Sequence, residues 1–231
     1  MTQKQGFALI AEMDSTRNLL AHGIRTLRTG DFVETTRDPV LTMLSIGVEK
    51  LYKLTLGLTA LDREGSWPNK QQMKSHGHDL DAMHQAVLEE LQTRSADKSE
   101  YVRTLLADIE ADFVIPPLIA ALSRYGRGGR FHYLDLLGDA PDKWDSPIGY
   151  WQRVEQAAMQ EPHLIAALND AMGAPADSEL WTRAHGGTQD RIASALEGLW
   201  ETIAVCGSNN MLGPAGKLFG SALHPRSVDY W

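Results

Sequence analysis

The sequence predicts an all-α fold, a helical bundle with a C-terminal helical extension. Three observations predict it. Apolar residues recur at helical spacings along most of the 231-residue chain. Period-two alternation is scarce and there is no Asn-Gly hairpin turn. Hydrophobic residues make up 43% and charged residues 23%, a balance that can bury a core.

Helix one is expected from about Phe7 to Leu27, with Leu9, Met13, Leu20, Ile24 and Leu27 at helical spacings and Gly30-Asp31 ending the run. Helix two is expected from Pro39 to Leu61, with Asp38 as N-cap and Pro39 at its first position. Leu41, Leu44, Val48, Leu51, Leu54 and Leu58 are spaced for burial, and Met43, Ile46 and Leu61 add apolar cover around the axis, the pattern of a central bundle helix. Gly47 and Gly57 would let a neighbour approach closely. Gly65 to Asn69 reads as a loop.

A third helix covers Asp79 to Gln92, with Leu80, Met83, Val87, Leu88 and Leu91 inward. A fourth starts near Ser99 and carries Val102, Leu105, Leu106, Ile109 and Phe113 on one face. Pro116-Pro117 should kink or restart it, because residues before proline avoid the α region. After Tyr125 comes a glycine-rich turn, Gly126-Arg127-Gly128-Gly129, then a short apolar piece from Phe131 to Leu137. Gly138 to Asp145 is the best internal boundary. Beyond it, Ser146-Pro147 starts a helix that carries Tyr150, Trp151 and Val154. Pro162 opens another, closed by Gly173. The last long helix begins near Thr188, with Ile192, Leu196, Leu199 and Ile203 on one face, and Gly207 to Gly216 is loop. The tail ends in Tyr230-Trp231, an aromatic pair suited to docking on the body or on a partner. This gives seven to nine helices, with residues 1–140 as the bundle and 141–231 as a helical elaboration packed on it in one compact unit.

The net charge of −8 argues against a protein that coats nucleic acid or an anionic membrane with its whole surface, but it leaves room for a local basic patch. Cys206 is the single cysteine, so no internal disulfide forms and nothing points to secretion. The N-terminus lacks the long apolar segment of a signal peptide, and no stretch approaches the roughly 20 apolar residues that span a bilayer. The expected address is the cytoplasm, with no membrane partner. Gly213-Pro214-Ala215-Gly216-Lys217 lacks Walker spacing and has Leu218 where Ser or Thr is needed. No cofactor is expected. His76, His78, Asp79 and His84 do not form a specific zinc pattern, so no metal site is expected either.

Three segments carry a resemblance to a known family. Gly47-Val48-Glu49-Lys50-Leu51-Tyr52-Lys53-Leu54 resembles the second helix of HEPN proteins, with its Glu-Lys pair and a second lysine three residues on. Lys74-Ser75-His76-Gly77-His78-Asp79-Leu80 resembles the Gly-His-Asp-Leu opening of their third helix, and Arg25 to Phe32 their first helix with its Gly-Asp-Phe turn. Order and spacing match over about residues 18 to 92; nothing after residue 141 matches a known pattern. The resemblance implies a helical bundle, a homodimer, and an action on RNA or nucleotides. Many members are metal-independent ribonucleases of toxin–antitoxin, stress or phage-defence systems, marked by an Arg, four to six residues and a His near the fourth core helix. Others lack this signature and serve as binding or adaptor modules.

Arg127 and His132, with four residues between them, fit that signature in the expected order, although the glycine-rich context departs from the usual helix start. Arg17 and His22 also fit, but they precede the Glu-Lys helix and are the secondary candidate. Metal-free RNA cleavage needs a base for the 2′-hydroxyl proton, a role that suits histidine, and a cation on the phosphate, which suits the arginine fork. His132 is therefore the expected base or acid and Arg127 the phosphate clamp. Arg124 and Arg130 add phosphate contacts, and Tyr125, Phe131 and Tyr133 can stack bases. The glycines would let backbone N–H groups approach an anion. The bland alternative is a solvated loop whose arginines pair with acids such as Asp135, Asp139 or Asp142. Glu49 and Lys53 are either a solvated i,i+4 pair or the polar lining of a cleft that faces RNA.

The first functional reading is thus a HEPN-like protein that acts on RNA, with a metal-independent endoribonuclease of a stress or phage-defence system as its enzymatic form. The second is a non-catalytic module that binds nucleotide, RNA or a protein partner such as a cognate antitoxin. A ligand-free helical adaptor is the third. They are told apart by whether His132 faces a solvent cleft beside Arg127.

Overall fold

A computed structural model describes residues 1–29, 33–139, 141 and 143–228, the side chains of 33–36 excepted. It is all-α: among the described residues there are eleven α-helices and no strand. The bundle half holds α1 (Gln3–Thr29), α2 (Val33–Glu64), α3 (Lys70–Ser75), α4 (Leu80–Thr93), α5 (Glu100–Ala111), α6 (Ile115–Gly126) and α7 (His132–Asp135). The later half holds α8 (Pro147–Ala158), α9 (Pro162–Gly173), α10 (Ser178–Ser208) and α11 (Pro214–Leu223). Single 3₁₀ turns lie at Gly129–Phe131 and Pro225–Ser227. Gly30-Asp31, expected to end the first helix, and Tyr230-Trp231 lie outside the described residues.

The α1–α2 pair forms the spine. The expected apolar face of α1 is buried, with Leu20 and Ile24 wholly covered, and so is that of α2, with Leu44, Val48, Leu51 and Leu58 wholly covered. Small residues set their separation: a Cβ on Gly47 would sit 3.0 Å from Leu20 Cδ2. A Cβ on Gly57 would sit 2.5 Å from the Trp67 ring, which packs on α2 from the loop before α3. Pro39 does not open α2 but lies inside it, since the helix already runs from Val33. Proline inside a helix forfeits one backbone bond, and α2 runs through Pro39 at that cost.

Of the remaining helices, α4, α5, α6, α8 and α9 start where the sequence places a cap or a proline. Asp79 caps α4 through Ala82 N at 3.0 Å, and Ser146 caps α8 through Gly149 N at 3.1 Å. Ser99 precedes α5 without a side-chain cap bond, and Pro116 and Pro117 occupy the first turn of α6, where a missing N–H is harmless. Two expectations fail: α10 starts at Ser178, capped by Asp177, ten residues before Thr188, and the expected loop from Gly207 to Gly216 is helical at both ends, in α10 up to Ser208 and in α11 from Pro214. Gly186-Gly187 resembles a breaker but sits within the helix. A Cβ on Gly187 would come 2.7 Å from Leu164 Cδ2, so the glycine allows α9 to approach.

One hydrophobic cluster runs through both halves and includes Tyr52, Leu118, Trp151, Leu196, Trp200 and Phe219. Arg191 of α10 ties three elements together: its Nη2 donates to Asp112 Oδ1 at 2.7 Å and its Nε to Glu161 Oε1 at 2.9 Å. Arg94 fastens the turn after α10 by donating to Asp62 at 2.7 Å and to the Met211 carbonyl at 3.1 Å. The Gly213–Lys217 segment is the opening of α11, with Gly213 before its first turn at φ 74°. Cys206 is wholly buried on α10, and burial pushes its thiol up to about 12. No helix among the described residues is long and apolar enough to cross a membrane.

Candidate functional site

The site grows from the contact between the start of α4 and the end of α6. Ser123, buried on α6, accepts the backbone N–H of Leu80 at 3.2 Å. One turn later, at the C-terminal cap of α6, the Arg127 guanidinium donates to Ser123 Oγ at 3.0 Å, to Asp79 Oδ1 at 2.7 Å and to Asp81 Oδ2 at 3.1 Å. The carboxylates that hold Arg127 therefore come from α4, not from Asp135 or Asp139 beside it in the chain. Asp142 lies outside the described residues.

The α4 start is itself clasped by α2. Lys53 Nζ donates to Glu49 Oε1 at 2.7 Å and to the Gly77 carbonyl at 2.8 Å, while His78 Nδ1 donates to Glu49 Oε2 at 2.9 Å. Gly77, at φ 57°, makes the turn that brings both histidines round. Burial raises the Glu49 carboxyl, but the hydrogen bonds and charges of Lys53 and His78 outweigh it and hold it below the usual value. Burial, with the Lys53 charge second, lowers the His76 imidazole. Glu49 and Lys53 form the i,i+4 ion pair, three-quarters or more covered rather than solvated, and Lys53 ties it to the turn that precedes Asp79.

Two adjoining depressions flank Arg127 and share it and Asp81 as their boundary. The larger, about 530 Å³, is lined by Asp79, His84 and Glu110 and by the apolar Leu88, Ile115 and Ile119. His84 on its floor meets the Tyr52 hydroxyl at 2.7 Å. Burial lowers the His84 imidazole to about 4, against a smaller opposing effect of Asp81, so the ring is neutral near pH 7. Burial and then the Asp81 charge hold the Tyr52 hydroxyl well above its usual range, so it stays protonated. The smaller depression, about 480 Å³, is lined by Arg124, Arg127, Gly128, Asp135, Trp144 and Tyr150.

The glycine-rich turn brings Arg124 and His132 together rather than Arg127 and His132. Arg124 Nη2 lies 3.4 Å from His132 Nδ1, and its Nε donates to the Asp145 carbonyl at 3.1 Å. Both residues are 7% exposed. The expectation that His132 faces solvent beside Arg127 is not met. The ring lies beneath the turn, edge-on to Tyr133 at 5.1 Å. Tight packing accounts for Gly129, whose Cβ would come 2.8 Å from the Arg124 carbonyl oxygen. Arg130 is exposed and lies over the Phe131 ring at 5.0 Å. Tyr125 is buried, with its hydroxyl 3.0 Å from Thr42 Oγ1, whereas Phe131 and Tyr133 are exposed.

Arg17 pairs with Asp14 at 3.0 Å and donates to the Ala222 carbonyl at 3.3 Å; His22 is exposed on the same helix, α1, which lines neither depression. Among the described residues no group of three or more His, Cys, Asp or Glu side chains is placed to hold a metal ion. Trp144, Tyr150, Asp81 and His84 are the lining residues that sequence reading does not assign to a site. Their signal is weak because Trp144 lies within the boundary loop and Tyr150 beyond it, away from the arginines in the chain.

No family model, no curated protein and no solved structure matches this chain. The weight rests on the geometry around Arg127.

Proposed function

We propose that the protein is a HEPN-like module that binds RNA or a nucleotide in the smaller depression without cutting it there. The observation that carries this reading is the meeting of two arginines, Arg124 and Arg127, with two aromatic side chains, Trp144 and Tyr150, in one concave site. Arginine forks recognise phosphate, and an aromatic face stacks a base for about 1–3 kcal/mol. Trp144 is 64% exposed, so its ring is accessible to a base. Asp81 and Asp135 on the same lining offer acceptors to base amino groups.

Binding is favoured over cleavage because His132, the expected proton acceptor, is covered by protein. The acids around Arg127 also favour a short ligand over a long strand. Asp79, Asp81, Glu110 and Asp135 outnumber the two arginines, so an extended phosphate backbone would meet net repulsion. A homodimer or a protein partner belongs to the same proposal, and light scattering at micromolar concentration tests the dimer.

Fluorescence titration with nucleoside mono- and diphosphates and with a short single-stranded RNA tests the reading. Trp144→Ala and Arg127→Ala should each weaken binding by roughly tenfold or more. Equal binding by wild type and both variants rejects the site. Chelator-insensitive RNA cleavage that disappears in His132→Ala would reject the non-catalytic reading.

A further inference from the structure

The larger depression beside Arg127 has no role in the reading above, and its chemistry differs from that of the arginine side. It lies between α4, α5 and α6 and holds about 530 Å³. That is within the roughly 300–1,000 Å³ of small-molecule sites. His84, Glu110 and an aliphatic wall line it and do not line the smaller depression, so a ligand here needs neither Arg124 nor Trp144.

Two polar groups stand open in it. The first is His84, only 7% exposed. Its Nδ1 lies 2.7 Å from the Tyr52 hydroxyl, which is wholly buried and has no other partner among the described residues. An orphaned buried hydroxyl proton would be costly, so Tyr52 donates to Nδ1, and the hydrogen of the neutral ring sits on Nε2. That Nε2 has no partner among the described residues and keeps solvent-accessible surface. His84 thus presents a fixed N–H donor that lacks an acceptor. The second group is Glu110 on α5, exposed, whose carboxylate makes no hydrogen bond or ion pair among the described residues. Leu88, Ile109, Ile115 and Ile119 supply the aliphatic wall.

We infer that this depression binds a guanine base. Guanine carries an acceptor and two donors on one edge: O6 takes the His84 Nε2–H, while N1–H and the 2-amino group donate to the Glu110 carboxylate. The flat face of the ring lies on the aliphatic wall. The pattern sorts ligands by chemistry. Adenine offers the carboxylate a single amino group and no ring N–H on that edge. An aliphatic ammonium would satisfy the acids and leave the His84 donor without an acceptor. A phosphate would meet Asp79 and Asp81 on the same lining, whereas a neutral base meets no such repulsion.

The test is calorimetric titration of the full chain with guanosine, 1-methylguanosine, adenosine and 3-methylbutan-1-amine. Guanosine should bind saturably. Blocking its N1–H with a methyl group should weaken binding by at least about tenfold, the effect of losing one charge-assisted contact. Glu110→Gln should do the same while keeping the wild-type circular dichroism, as expected of an exposed position. Trp144→Ala should bind guanosine as the wild type does, which separates this site from the smaller depression. Five results overturn the inference: no saturable heat with guanosine up to about 1 mM, equal binding by 1-methylguanosine or adenosine, tighter binding by the amine, unchanged binding in the folded Glu110→Gln variant, or loss of guanosine binding in Trp144→Ala.

Discussion

At the scale of single residues, His84 and Ser123 do more than their types suggest. His84 is neutral in the folded protein because burial lowers its imidazole to about 4, while in the unfolded chain it titrates near 6.5. Its folded pKa is the lower one, so between about pH 6.5 and 4 the unfolded state binds a proton that the folded state refuses. Stability from this group is complete above pH 6.5 and falls as the pH drops towards 4, by about 3 kcal/mol in all. Urea unfolding at pH 7 and pH 4.5 should show a larger loss for wild type than for His84→Gln; equal losses would place the acid sensitivity elsewhere. Ser123 serves two partners with one oxygen, the Leu80 N–H and Arg127. Ser123→Ala orphans a buried backbone donor and should cost about 1–3 kcal/mol in unfolding free energy. A loss below about 0.5 kcal/mol, as is usual of an ordinary surface change, would mean that water replaces the hydroxyl.

At the scale of elements, α10 and α11 are joined by glycines. A Cβ on Gly207 would come 2.8 Å from the Gly216 carbonyl oxygen, and a Cβ on Gly220 would strike the backbone of Ser208 and Ala204. Gly220→Ala must push the two backbones apart, and a melting temperature lower by several degrees is the expected result, whereas an unchanged one would show that the helices slide freely. The same scale shows what a sequence can reveal. Helices α1, α4, α5, α8 and α9 are legible from their periodicity, joined in α4 and α8 by a side-chain cap and in α9 by a proline in the first turn. The α2 start is not, since Asp38-Pro39 reads as a helix start although the helix already runs from Val33. The first ten residues of α10 are hidden by Gly186-Gly187, which look like a break until Leu164 is placed against them. The four-residue α7 and six-residue α3 are too short for any period to register. In the site, the Glu49–Lys53 pair is legible from its spacing. The partners of Arg127 are not, because Asp79 and Asp81 lie 48 and 46 residues away in the chain. The covered state of His132 depends on the path of the turn, which glycines leave open until the neighbouring Pro147 and Arg124 are in place.

At the scale of the whole molecule, the expected division at residue 140 is a division of the chain more than of the core. Leu196, Leu199, Trp200 and Ile203 of α10 are each 1% exposed or less within the cluster that also holds Val102 and Ile109 of α5. Calorimetry should therefore give one unfolding transition, with calorimetric and van't Hoff enthalpies equal. A fragment of residues 1–140 should lack fixed side-chain packing, because the face of α5 that α10 covers would meet water. Two resolved transitions, or a fragment with native near-ultraviolet dichroism, would show that the halves fold independently.

Asp79 has two duties, and they can be separated. It holds Arg127 with the same oxygen that caps α4 through Ala82. An incoming anion that draws the guanidinium away removes one bond from that oxygen and leaves the cap in place, so the helix does not have to melt for the arginine to change partners. The protein thus carries a resting counter-ion for its own cation, and a guest must outcompete two carboxylates before it gains a hold. On the proposed reading, that competition would screen out weak anions with no gate or moving lid.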